Sequence, residues 1–172
     1  MDDLKFYRER FKAEAGLTRS VLDRIIPISL EYRPHPHAPS AGELLWTIVR
    51  GLQIRFDIVT TRESDGPPAH PHPPCQVMLD SYVELTERVA EELGKIDEQQ
   101  WAAHAQFRMN GRVALDWPVR EILWLFHFDV IHHRGQLTAY LRPIGAKVPS
   151  IYGKSGDDVA MDHDRKIAAT RN

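Results

Sequence analysis

WPVREILWLFHFDVIHHRGQLTAYLR, residues 117–142, is the longest helical pattern in the chain and holds its densest reactive chemistry. Ile122, Phe126, Leu137 and Tyr140 recur at helical spacing, and Asp129 and His133 lie on the same stripe. The pattern predicts one long amphipathic helix with both polar side chains turned into the protein. Asp116 and Pro118 mark its start, with Glu121 in the first turn, and Arg142, Pro143 and Gly145 mark its end.

Working outward, Leu4, Tyr7, Phe11, Thr18, Leu22 and Ile25 give a helical stripe over residues 3–26, opened by Asp2 and Asp3 and stopped by Pro27. After the proline-containing loop ISLEYRPHPHAP, Ser40 and Glu43 stand at capping-box spacing and start a second helix. Its inward face reads Leu44, Thr47, Ile48, Gly51, Ile54 and Ile58, where the Thr47 hydroxyl is expected to bond back to a carbonyl one turn earlier. RESDGPPAHPHPP, residues 62–74, is a Pro- and Gly-rich connection. Met78, Tyr82, Leu85, Val89 and Leu93 form a third helix, with Gly94 at the expected left-handed cap. AQFRMNGRVALDW, centred on Asn110-Gly111, predicts a hairpin. GAKVPSIYGKSGDD reads as an ordered loop, and MDHDRKIAATRN as a short helix or a frayed tail. The expected fold is all-α: a four-helix bundle over residues 1–157, a small hairpin between its third and fourth helices, and a tail over 158–172.

With 172 residues, 42% hydrophobic and 27% charged, the chain has the composition of one soluble domain with a real core. Lys plus Arg number 22 against 24 Asp plus Glu, and this net charge of -2 gives no general pull toward nucleic acid or an anionic membrane. Cys75 stands alone, the N-terminus is unlike a signal peptide, and no apolar run is long enough to span a bilayer, so a cytoplasmic location is expected. No glycine-rich phosphate loop, nucleophile elbow or zinc-knuckle spacing is present.

SAGELLW at 40–46, FDVIHHRGQLTAYLR at 128–142 and GAKVPSIYGKSGD at 145–157 together resemble the DinB/YfiT-like metalloenzymes. The resemblance implies a four-helix bundle in up-down-down-up order, often homodimeric. It also implies a divalent metal held by one histidine of the second helix and two of the fourth, with some relatives acting as thiol-dependent transferases or isomerases. Carried over by position, His133 retains one of these ligands, Asp129 replaces the second and Thr47 the third. Asp129 can ligate zinc, nickel or manganese through oxygen and lies one helical turn from His133, whereas the Thr47 hydroxyl is a poor ligand. Such a site holds a metal more weakly than three imidazoles do.

The Asp129 and His133 pair therefore reads either as a two-residue metal site or acid/base pair, or as a satisfied buried pair kept for structure. In the second case His133→Ala is expected to cost about 3–5 kcal/mol. Arg134 and Gln136 could meet a substrate carboxylate, but anchoring of the 145–157 loop or a dimer interface is the favoured reading. His132 is rotated about 100° from His133 and is expected to face elsewhere. His35, His37, His70 and His72 sit on proline-rich loops, and one of them folding over the bundle end would replace the missing ligand. Cys75 opens a helix without an adjacent base, and Trp46, Trp101, Trp117 and Trp124 are expected to fill the core. Two functions stay open: a metal-dependent transferase or hydrolase using a thiol, or a non-enzymatic stress-associated or small-ligand-binding bundle that has lost the metal. A third ligand converging on His133 would favour the first, and an apolar lid the second.

Overall fold

The computed structural model describes residues 2–170. Helix α1, Asp3–Leu22, is capped by Asp2, whose carboxylate accepts from the Lys5 amide at 3.0 Å. It ends four residues before the expected limit. Ile26 precedes Pro27, is driven out of the helical region to φ -118 and ψ 154, and the chain unwinds through a turn that still buries Ile25. Helix α2, Ala41–Thr61, opens with the reciprocal bonds the sequence predicts: Glu43 N to Ser40 Oγ at 3.2 Å and Ser40 N to Glu43 Oε2 at 2.6 Å. Helix α3, Cys75–Lys95, buries Met78, Tyr82, Leu85, Val89 and Leu93 as expected. Gly94, however, stays inside the helix. Arg8 donates to the carbonyls of Leu93 at 2.8 Å and Ile96 at 2.7 Å, so the last turn is satisfied from α1 and needs no left-handed closure.

A short helix α4, Glu98–Ala102, leads into a small mixed sheet, of which the sequence reading expected the hairpin but not the third strand. Strand β1, Glu63–Ser64, runs parallel to β2, His104–Met109, and β2 runs antiparallel to β3, Arg112–Pro118. The hairpin turn is the predicted one, with φ of 53° at Asn110 and 75° at Gly111. Strand β1 falls inside the segment read as a plain connection, because two residues carry no alternation to recognise. Asp65 then ties that connection to the hairpin by accepting from the Gly111 amide at 3.2 Å.

Helix α5, Val119–Leu141, is the long helix of the sequence reading. It packs on α2 and α1, α2 packs on α3, and α1 meets α3, so four long helices share one core. Helix α6, Gly156–Thr170, begins at the end of the segment read as an ordered loop and runs into the one read as a short helix or a frayed tail. Of the tryptophans only Trp101 fills the core, at 1% exposure, with its indole N–H on Asp3 at 3.0 Å. Trp46 and Trp124 are half-buried and Trp117 is exposed, because the last lies on a strand with one face to solvent. Among the described residues no helix is long and apolar enough to cross a membrane.

Candidate ligand cleft between α2, α5 and the hairpin

Helices α2 and α5 diverge beneath the β2–β3 hairpin and leave a cleft of about 420 Å³. Thr47, Arg50, Gly51 and Ile54 form one wall, Leu125, Phe126, Asp129 and His133 the other, and Phe107, Met109, Ala114 and Leu115 lie along the hairpin side. The three residues singled out as a metal set thus do line one space. They do not point into the core. Asp129 has 39% and His133 21% of its side chain exposed, so the expected buried ion pair is a pair on the wall of an open cleft.

His133 Nε2 lies 3.2 Å from Asp129 Oδ1, and its Nδ1 lies 3.0 Å from Gln136 Oε1. The carboxylate of Asp129, reinforced by Gln136 and opposed by burial, raises the imidazole above its usual value of 6.5. The Thr47 hydroxyl donates to the Glu43 carbonyl at 2.8 Å, the back-bond expected of it. Both ring nitrogens of His133 are therefore engaged, and Thr47 is committed to its own helix. Among the described residues no group of three or more His, Cys, Asp or Glu is placed to hold a metal ion. A metal site built as the family builds it does not fit these side chains, since one engaged imidazole, one half-exposed carboxylate and a hydroxyl fall short of a closed donor set.

The loop histidines do not make up the difference, as none of them lines the cleft. His35 and His37 are exposed, and their rings lie 5.2 Å apart. His72 rests on the start of α2, where a side-chain carbon on Gly42 would come within 2.7 Å of its Nε2. His70 Nδ1 is 3.8 Å from Glu43. His132 faces solvent. Cys75 is buried, and burial raises its thiol above the ordinary value, the reverse of an activated nucleophile.

The polar groups that α5 does send into the core are His127 and Arg134, which the stripe reading missed or set aside. Arg134 Nη1 donates to Glu14 Oε2 at 2.6 Å and Nη2 to the Tyr152 hydroxyl at 2.6 Å, and that hydroxyl donates to Glu14 Oε2 at 2.8 Å. Arg134 thereby anchors the 145–157 loop, the role preferred for it on sequence, while Gln136 bonds His133 instead. His127 packs between Tyr7 and Trp124, with ring centroids at 5.6 Å and 5.4 Å. Burial, aided by the nearby Arg55 cation, pushes its pKa down to about 4. A sequence signal existed: His127, Val130, Arg134, Leu137 and Leu141 repeat at three, four, three and four, one step round the helix from the polar pair of the stripe chosen.

The model of the DinB family matches residues 1–166. The uncharacterized protein YrdA of Bacillus subtilis is 24% identical over 160 residues, covering 91% of this chain and 92% of that protein. Among solved structures, a DinB-like protein from Bacillus cereus superposes with a TM-score of 0.72 at 21% identity, covering 85% of this chain and 95% of the other. The DinB-like protein YjoA of Bacillus subtilis gives 0.66 at 22%, with coverages of 86% and 97%. A variant of a mycothiol-dependent maleylpyruvate isomerase gives 0.57 at 13%, covering 78% of this chain and 60% of that one. These likenesses carry the fold.

Proposed function

The chain belongs to the DinB family, and from that premise we propose that it is a small-ligand-binding member whose cleft takes a compact, largely apolar molecule oriented by Asp129 and His133. The observation that carries this reading is the engagement of both His133 nitrogens, by Asp129 at 3.2 Å and by Gln136 at 3.0 Å, in a cleft walled by Phe107, Leu115 and Phe126. The Asp129 carboxylate raises the imidazole pKa and, with Gln136, fixes the ring on the cleft wall as a polar edge beside the apolar walls. The apolar walls supply the affinity and the polar pair the orientation, the usual division of labour in small-molecule sites. The metal-dependent transferase or hydrolase that the resemblance implies is the less supported reading. It requires His133 Nε2 to leave Asp129 and further donors to arrive, and no loop histidine lies along the cleft.

The test is twofold. Elemental analysis of untagged protein purified without chelator is expected to show zinc, nickel and manganese far below one per chain. Near-stoichiometric metal that is lost in both Asp129→Ala and His133→Ala would overturn the proposal. The neutral fluorophore Nile red is expected to bind the parent and to be blocked by Ala114→Trp, which fills the cleft mouth from an exposed position on β3. Undiminished binding to Ala114→Trp would place the apolar site elsewhere, and no binding to the parent would overturn the cleft reading.

A further inference from the structure

One cation in the cleft has no counter-charge. Arg50 stands on α2 one turn beyond Thr47, half-buried, and its Nε donates to the Pro67 carbonyl at 2.7 Å. That bond holds the guanidinium from behind and leaves the two terminal nitrogens without a protein acceptor among the described residues. Arg19, Arg33, Arg88, Arg120, Arg134 and Arg142 each lie within 4.0 Å of a carboxylate, and Arg50, like the buried Arg55, does not. The carboxylate that does line the cleft, Asp129, is committed to His133. Burial lowers the Arg50 pKa, as removal from water does to any cation left unpaired.

Resting on the reading of the cleft given above, we propose that its ligand is a monocarboxylate with an apolar body of one or two rings, and that Arg50 binds the carboxylate through its two terminal nitrogens. A planar guanidinium matches a carboxylate bidentately, and the charge-assisted pair gains strength where the walls exclude water. The polarity of the cleft fixes the direction: the acid end lies at Arg50, away from the Asp129 carboxylate, and the body runs along Ile54, Phe107 and Phe126. The volume of about 420 Å³ falls in the range of sites for ligands of that size. A phosphate monoester, doubly charged, is disfavoured because Arg50 is the only permanent cation on the cleft walls among the described residues.

The experiment compares 4-phenylbutyrate, its amide and phenylbutyl phosphate by calorimetry, on the parent and on Arg50→Met, which keeps the aliphatic stem. The acid is expected to bind the parent about tenfold or more tighter than the amide, as one charge-assisted bidentate pair allows. Arg50→Met is expected to erase that preference while Nile red and the amide bind as before. The Arg50 Nε–H resonance of the parent should also shift on adding the acid, a readout that needs no variant. Equal binding of acid and amide, an unchanged preference in Arg50→Met, or tighter binding of the phosphate would each overturn the assignment. If Nile red binds the cleft and the acid does not, the carboxylate assignment fails while the cleft reading stands. Loss of Nile red binding in the parent removes the cleft reading itself.

Discussion

Replacing Glu14 by Gln strands a guanidinium in the core. Arg134 has 2% and Glu14 11% of its side chain exposed, and the pair is closed by Tyr152. The carboxamide oxygen can still accept both bonds but carries no charge, so Arg134 is left buried without its counter-ion. Removing one member of a buried ion pair costs about 3–5 kcal/mol, whereas replacing both members by apolar groups of like volume is close to neutral. Glu14→Gln is therefore expected to lower stability by about 3–5 kcal/mol, or roughly 6–20 °C in Tm for a chain of this size. The double variant Glu14→Leu/Arg134→Met should recover most of that loss. Urea unfolding read by circular dichroism gives both stability differences, provided the m-value is unchanged. A Glu14→Gln protein within about 1 kcal/mol of the parent would refute the claim that this pair is desolvated. Equal losses in single and double variants would show that packing, and not charge, holds the junction of α1, α5 and the 145–157 loop.

The remaining expectations are smaller. His127, with its pKa held down to about 4, stabilises the fold fully above its unfolded value of 6.5 and loses that contribution as pH falls from 6.5 toward 4. The window amounts to about 3 kcal/mol, and it should be missing from the pH–stability profile of His127→Phe; an unaltered acid limb would exclude His127 as its source. His133 has the opposite sign: its raised pKa stabilises below 6.5 and the gain fades as pH climbs through the folded value. Because Asp129 is 39% exposed, His133→Ala should cost under about 1 kcal/mol from the ion pair, well below what a buried pair implies. Imidazole NMR titration should show the His133 pKa falling in Asp129→Asn, and an unmoved titration would break the pair. Ser40→Ala, which removes the acceptor for the Glu43 amide, is expected to cost about 1 kcal/mol in a thermal melt, and no change would mean the cap is dispensable.

The helices were legible because each writes its signals locally. Asp2, the Ser40–Glu43 box and the repeats of Leu44, Ile48 and Ile58 or Met78, Tyr82 and Val89 carry caps and faces in the chain itself. The Asn110-Gly111 turn did the same, since its two positive φ values demand those residues. Membership of the family was also written in the residue order around His133. What the chain could not specify alone was anything decided by a partner distant in sequence. Strand β1 exists because β2, some forty residues on, accepts it. Gly94 needs no cap because Arg8 reaches across from α1. The stripe on α5 does bury Ile122, Leu137 and Tyr140, but its polar members were misplaced because polarity does not say which face is inner: Arg134 is inward only because Glu14, 120 residues earlier, neutralises it. For the same reason Asp129 and His133 lie on a cleft wall and not in the core, with hairpin residues Phe107, Met109, Ala114 and Leu115 lining the same space. Short-range spacing fixes helix faces to within a residue or so, and the last rotation is set by whichever long-range contacts best satisfy the buried charges.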